Sequence, residues 1–187
     1  MNRNAFAGVL VAAAVLNGCA ATVPADTGPT PASPAPAATA TGTMAPAAAG
    51  TPATAAQTDA ARAVYTAINN QRRTAGCGPL QWDAVAARVA QSHSEDMAKR
   101  GALVHESAEG RQPWDRLRAQ RVRFTEAAEN ITRTTTGAGS QGAVTQWLAS
   151  TGHRENIENC RFTRTGVGVS GEYWTQVFYT PQRSRSQ

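Results

Sequence analysis

The residue types that build a core are confined to one part of this 187-residue chain: every tryptophan, tyrosine and histidine lies between Asp59 and Pro181. Ahead of them, Ala20 to Thr58 holds seven of the ten prolines, no aromatic side chain and a single charge, Asp26. Such a stretch buries too little apolar surface to offset the entropy of ordering it. It is predicted to form, with Cys19, an Ala/Pro/Thr-rich disordered tether over residues 19–58, leaving one domain at 59–182 and a short tail at 183–187. About 120 residues is an ordinary size for a domain with its own core and excludes a multidomain enzyme with a large cofactor-binding half.

The formal net charge of +5 is carried almost wholly by arginine, since Lys99 is the only lysine. The arginines are scattered, no basic run is longer than a pair such as Arg72-Arg73, and no nucleic-acid motif accompanies them. A solvated basic surface follows, not a nucleic-acid partner.

At the amino terminus, Arg3 precedes an apolar stretch from Ala5 to Leu16 that is too short to span a bilayer and runs into Asn17-Gly18-Cys19. This reads as an export signal over residues 1–18. Gly18-Cys19 at its end resembles a bacterial lipoprotein processing site, which implies cleavage before Cys19, diacylation of its thiol and anchorage in a membrane of the cell envelope. An ordinary secretory signal cleaved further on is the alternative. The chain has three cysteines, and lipid on Cys19 leaves Cys77 and Cys160 as a pair. A disulfide is chemically permitted outside the cytoplasm. Closing so long a loop stabilises by roughly 4 to 4.5 kcal/mol in the chain-entropy model, less any strain.

Within the domain, Thr58 or Asp59 can cap a first helix that runs to about Thr74 and stops at Gly76. Asp83 can cap a second, whose apolar stripe includes Val85, Val89, His93 and Met97 and which ends near Gly101. A short helix with Pro113 in its first turn follows. Glu129 to Thr132 is a strand candidate and Ala143 to Ala149 a further helix. Gly166 to Val169 and Tyr173 to Tyr179 read as a hairpin around the three-residue loop Ser170-Gly171-Glu172. Helices first and a hairpin last argue for an α+β fold with an antiparallel sheet covered by helices.

Several strings then fall into a recognisable order: His93-Ser94-Glu95-Asp96-Met97, His105-Glu106-Ser107, Glu129-Asn130-Ile131, Trp147-Leu148-Ala149-Ser150-Thr151-Gly152-His153-Arg154-Glu155-Asn156-Ile157, and Tyr173-Trp174-Thr175-Gln176-Val177-Phe178. Over Ala61 to Tyr179 the chain closely resembles the bacterial branch of the CAP superfamily, the SCP-like domain of cysteine-rich secretory, antigen 5 and pathogenesis-related proteins. The resemblance implies an α-β-α sandwich with a small central antiparallel sheet. It also implies a cleft lined by His105, Glu129 and His153. Ala128 stands where the family motif has Gly, and Ser150 where eukaryotic members have a second Glu, so a triad is expected rather than a tetrad.

Two imidazoles and a carboxylate suit a weakly bound divalent cation such as Zn with a position left for water. A structural hydrogen-bond network tying helices to sheet is the other reading of the same residues. Trp114 and Ser150 are expected at the cleft rim, with Arg154 beside them. Arg111, Arg116 and Arg154 either hold an anionic group or pair with Glu109, Asp115 and Glu155. His93 falls in the apolar stripe of its helix and is expected in the core with its hydrogen bond satisfied. Trp82, Trp147 and Trp174 are expected to pack. Ser150, three residues before His153, raises a serine hydrolase, but no Gly-x-Ser-x-Gly elbow accompanies it.

Three function classes remain. The first is a monomeric envelope module that binds a metal or a small polar, lipid or cell-wall ligand without catalysis. The second is a metal-dependent or serine-type hydrolase of peptide or cell-wall substrate. The third is a structural or partner-binding domain.

Overall fold

The computed structural model describes residues 53–183. The expected export signal, Cys19 and nearly all of the expected tether lie outside the described residues, as do the last four of the tail.

Helix α1 (Ala55–Thr74) starts ahead of the expected cap because Thr54 and Gln57 form a reciprocal capping box. Thr54 Oγ1 accepts from Gln57 N at 3.3 Å, and Gln57 Oε1 accepts from Thr54 N at 2.8 Å. Gln57 also donates from Nε2 to the Val169 carbonyl at 2.9 Å, fixing the helix start to the sheet. Residues 55–58, expected in the tether, are therefore helical.

Strand β1 (Gln81–Trp82) is followed by α2 (Ala84–Arg100). Asp83 caps this helix as its position predicts, Oδ1 accepting from the amides of Val85 and Ala86 at 2.9 and 2.8 Å. Gly101 ends it at φ 66, a left-handed conformation that carries little penalty without a Cβ. Helix α3 (Pro113–Ala119) has proline in its first turn, where the missing N–H has no helical partner to lose. Strand β2 (Phe124–Arg133) is longer than the segment anticipated. Helix α4 (Gly139–Ala149) ends where expected and gives way at Ser150 to α5 (Thr151–Glu158), a helix the sequence reading left unassigned, since Gly152 in its first turn weakens the helical signal. Strands β3 (Arg164–Ser170) and β4 (Tyr173–Pro181) form the expected hairpin. Ser170 pairs with Tyr173, so the loop is the two residues Gly171-Glu172, not three, with Gly171 at φ 57.

The strand order is β1-β3-β4-β2. β4 is antiparallel to both of its neighbours, β3 and β2, as expected, whereas β1 runs parallel to β3, so the whole sheet is mixed. Alternation along the strands divides the core into two layers. On one face, Val167, Val169, Trp174 and Phe178 pack with Trp147 of α4, Ile157 of α5, and Val64 and Ile68 of α1. On the other, Val177 and Tyr179 pack with Ala86, Val89 and Ala90 of α2 and Leu117 of α3. This is the α-β-α sandwich. The disulfide between Cys77 and Cys160 is formed and joins the segment after α1 to the segment after α5.

The α2 layer seats directly on the backbone of β3. A Cβ added to Gly166 would lie 2.0 Å from the amide nitrogen of Ala87, and one on Gly168 would lie 2.2 Å from that of Gln91. The obstacle is main chain, so no rotamer change relieves it. Gly168→Ala is expected to destabilise the protein by about 2–3 kcal/mol, read as a lower urea midpoint with unchanged slope. An unchanged midpoint contradicts this packing.

Candidate functional site

Strand β2 is an edge of the sheet, and its alternation turns Glu129 toward α2 and α3 and Asn130 toward α4 and α5. Each organises one half of a site that straddles the edge.

On the Glu129 side, the carboxylate is 1% exposed and both its oxygens are engaged. His105 donates from Nδ1 to Oε1 at 2.9 Å, and Arg116 donates from Nη2 to Oε2 at 2.5 Å. Arg116 also donates from Nη1 to the carbonyls of His105 (2.8 Å) and Arg111 (2.9 Å). One buried guanidinium thus holds the Glu129 carboxylate, the backbone of His105 and the far end of the loop between α2 and α3. With Nδ1 committed to the carboxylate, Nε2 is the ring nitrogen left for a ligand. The side chain is 49% exposed and, with Gln112, Pro113, Trp114 and Ala128, lines an open hollow of about 240 Å³. Trp114 is 44% exposed, whereas Trp147 and Trp174 are buried in the core.

On the Asn130 side, Asn130 donates from Nδ2 to the His153 carbonyl at 3.0 Å and accepts from Asn156 Nδ2 at 2.9 Å, which sets the start of α5 against the strand. His153, Ser150, Ala149, Gln146 and Thr132 line a second open hollow of about 420 Å³. Thr132 donates its hydroxyl to Gln146 Oε1. Burial, and then the neighbouring His105, hold the pKa of His153 below its usual range. The two imidazoles are thus close enough for one charge to bear on the other across the β2 edge.

The expected residues are therefore distributed as follows. His105 and Glu129 are in direct contact, and His153 lies across the strand in its own hollow. Ser150 and Trp114 line the two hollows. Arg154 is spent elsewhere, donating from Nη1 to the Leu148 carbonyl at the end of α4. Among the described residues no hydrogen bond joins the Ser150 hydroxyl to the His153 ring. Arg116 was read as a partner of Asp115 or of an anion, yet it is the counter-ion of Glu129. Nothing in the local spacing marks that pairing, because thirteen residues and a change from helix to strand separate the two. His93 is in the core as expected, but only half satisfied. Nε2 donates to the Val104 carbonyl at 3.0 Å, while Nδ1 is buried without a partner.

A family model for the cysteine-rich secretory protein family matches residues 65–180. The chain belongs to this family. The CAP domain is 37% identical over 122 residues to the uncharacterized membrane protein YlbC of Bacillus subtilis, covering 65% of this chain and 35% of that one. It is 35% identical over 118 residues to the uncharacterized protein YkwD of the same organism, covering 62% of this chain and 45% of that one. Among solved structures it is similar to an extracellular protein containing a SCP domain from Bacillus anthracis, with a TM-score of 0.63 and 32% identity, over 70% of this chain and 45% of that one. The chain thus spans less than half the length of each of these relatives.

The CAP cleft can be tested for a metal from its donors. Among the described residues no three His, Cys, Asp or Glu side chains are grouped so as to hold an ion. Glu129 spends one oxygen on Arg116 and the other on His105. In this arrangement the carboxylate orients an imidazole, and a cation held by His105 Nε2 and His153 would have to share Glu129 with Arg116.

The CAP domain's buried histidines also set a pH dependence. Burial holds His93 below its usual pKa of 6.5, Glu129 only partly opposing this, and a proton on Nδ1 would face no acceptor nearer than Asp96 Oδ2 at 4.0 Å. His153 is shifted the same way. Below pH 6.5 the unfolded chain therefore takes up protons that the folded one refuses, and stability falls as pH drops toward the folded pKa values. Urea midpoints are expected to be lower at pH 5.5 than at pH 7.5, with a smaller difference in His93→Gln. Equal pH sensitivity in both proteins removes His93 as a cause.

Proposed function

We propose that this chain is an exported envelope protein of the bacterial type, anchored by lipid on Cys19, whose CAP domain binds a small ligand at the β2 edge and turns nothing over. The observation that carries the binding reading is the lack of a nucleophile beside the oriented imidazole: Glu129 is engaged by Arg116 and His105, and among the described residues the Ser150 hydroxyl makes no hydrogen bond to either cleft histidine. What the cleft offers is an oriented imidazole beside an exposed tryptophan, which suits recognition. Two relatives, one named as a membrane protein and one as an extracellular protein, support export. Gly18-Cys19 after an apolar stretch supports the lipid.

Three measurements test the reading. Labelling with a palmitate analogue is expected for the wild type and not for Cys19→Ala; equal labelling of both, or of neither, removes the anchor. Isolated cell walls incubated with wild type and with the His105→Ala/His153→Ala variant are expected to release fragments at the same background rate. Cleavage that disappears in the variant makes the protein a hydrolase. Calorimetry with Zn on the same two proteins is expected to give equal heats, and heat lost in the variant restores the metal.

A further inference from the structure

Among the described residues the large hydrophobic side chains left exposed are Leu103, Val104 and Trp114, at 46%, 40% and 44%. Two of them immediately precede His105 in sequence and the third shares its hollow. An exposed aromatic face beside a few polar groups in a hollow has the composition of a ligand-binding surface. Trp114 is held there by the chain itself. Pro113 fixes the first turn of α3, and the helix is anchored from below by Arg116.

The chemistry of the two hollows narrows what covers it. Neither lining holds a lysine or an arginine, and its one carboxylate, Glu129, is paired with Arg116. A phosphate or carboxylate ligand finds no Lys or Arg in either lining, and an ammonium ligand finds no unpaired carboxylate. A long acyl chain needs an enclosed apolar tunnel, and both hollows are open. The lining instead offers a flat aromatic surface, the Nε2 of His105, the Ser150 hydroxyl, and the Gln146 amide, whose oxygen is already occupied by Thr132 and whose Nε2 remains to donate. A pyranose ring has the matching surface, with apolar C–H faces for an aromatic ring and a rim of hydroxyl and acetamido groups for neutral donors and acceptors.

We infer that the cleft recognises a neutral glycan, an N-acetylhexosamine oligomer, with one ring stacked on Trp114 beside His105 and a neighbouring ring in the hollow of Gln146, Ser150 and His153. This rests on reading the cleft as a binding site and names its ligand class. The strand edge between the hollows is the step the glycosidic link crosses.

Titration of the full chain with N-acetylchitotetraose, followed through the indole N–H resonances in the wild type and by calorimetry in the wild type and every variant, tests this. The Trp114 resonance is expected to shift saturably. Trp114→Ala is expected to bind about tenfold or more weakly, and Gln146→Ala and Ser150→Ala a few-fold more weakly, the larger loss corresponding to about 1.4 kcal/mol. Trp114→Phe is expected to recover most of the affinity, which a merely structural role does not predict. Three results overturn the inference: no shift at millimolar sugar, equal affinity in Trp114→Ala, or a Trp114 shift produced by phosphatidylcholine vesicles and not by the sugar. Binding of Zn or phosphate without sugar overturns it too, while leaving the cleft a binding site. Histidine-dependent cleavage of the oligomer preserves the glycan and overturns only the non-catalytic reading.

Discussion

Arg116→Ala is expected to cost about 3–5 kcal/mol of folding stability, more than any other single change in the cleft. Glu129 is buried at 1% side-chain exposure, and its counter-charge comes from one residue. Removing that residue leaves an ionised oxygen in the interior with no compensating donor. It also frees the carbonyls of His105 and Arg111, which Arg116 holds at 2.8 and 2.9 Å. Lysine cannot replace it, because a single ammonium does not span a carboxylate and two carbonyls in three directions. The neutral pair Arg116→Met/Glu129→Gln removes both charges and is expected to recover part of the loss. Urea denaturation of the wild type, Arg116→Met, Glu129→Gln and the double variant gives the coupling directly. A loss under 1 kcal/mol in Arg116→Ala means the pair is not what holds the loop, and with it the orientation of His105.

The contrast between Arg116 and Asp83 shows what kind of information the sequence carries. Asp83 was legible as a cap because capping is local: a short acceptor followed by an apolar helical stripe leaves little choice about its partner. Gly101 was legible as a stop for the same reason. The pairing of Cys77 with Cys160 came from counting thiols, and the contact of His105 with Glu129 came from resemblance, since 24 residues separate them. Arg116 had an acid as its immediate neighbour, and Asp115 drew the local reading. Its true partner is chosen by the register of β2, which opposes Glu129 to Val177 and so decides which face the carboxylate takes. That register is a property of the assembled sheet. It also separates His153 from the other two cleft residues, because the neighbour of Glu129 points to the opposite layer. The early start of α1 was hidden differently: Thr54 and Gln57 form an effective capping box, but in a Thr- and Ala-rich stretch they look like the composition around them.

The second large effect lies away from the cleft. Arg72→Met is expected to destabilise the oxidised protein by about 4 kcal/mol, since hydrogen bonds from a charged donor each contribute about 1.5–3 kcal/mol and are not fully additive. Arg72 is 1% exposed, and burial depresses its pKa. Its guanidinium meets no carboxylate; it donates to four carbonyls. Nε reaches Gly78 at 3.0 Å, Nη1 reaches Ile157 at 2.7 Å and Asn159 at 2.9 Å, and Nη2 reaches Phe162 at 3.0 Å. Those carbonyls bracket both ends of the Cys77–Cys160 bridge. Two clasps therefore close one junction, between the end of α1 and the segment that leads from α5 into β3. They act on different states. The disulfide limits the unfolded chain by closing a loop of separation 83, worth about 4.5 kcal/mol in the entropy model, whereas Arg72 satisfies polar groups in the folded one. Either loss alone is expected to leave a cooperative transition at a lower urea midpoint. Both together, Arg72→Met in the reduced protein, approach the whole stability of an ordinary domain, and no cooperative unfolding transition is expected at 25 °C. Arg72→Lys is expected to resemble Arg72→Met, because one ammonium cannot serve four carbonyls that converge from separate segments. A wild-type midpoint for oxidised Arg72→Met means the junction is held by the disulfide alone.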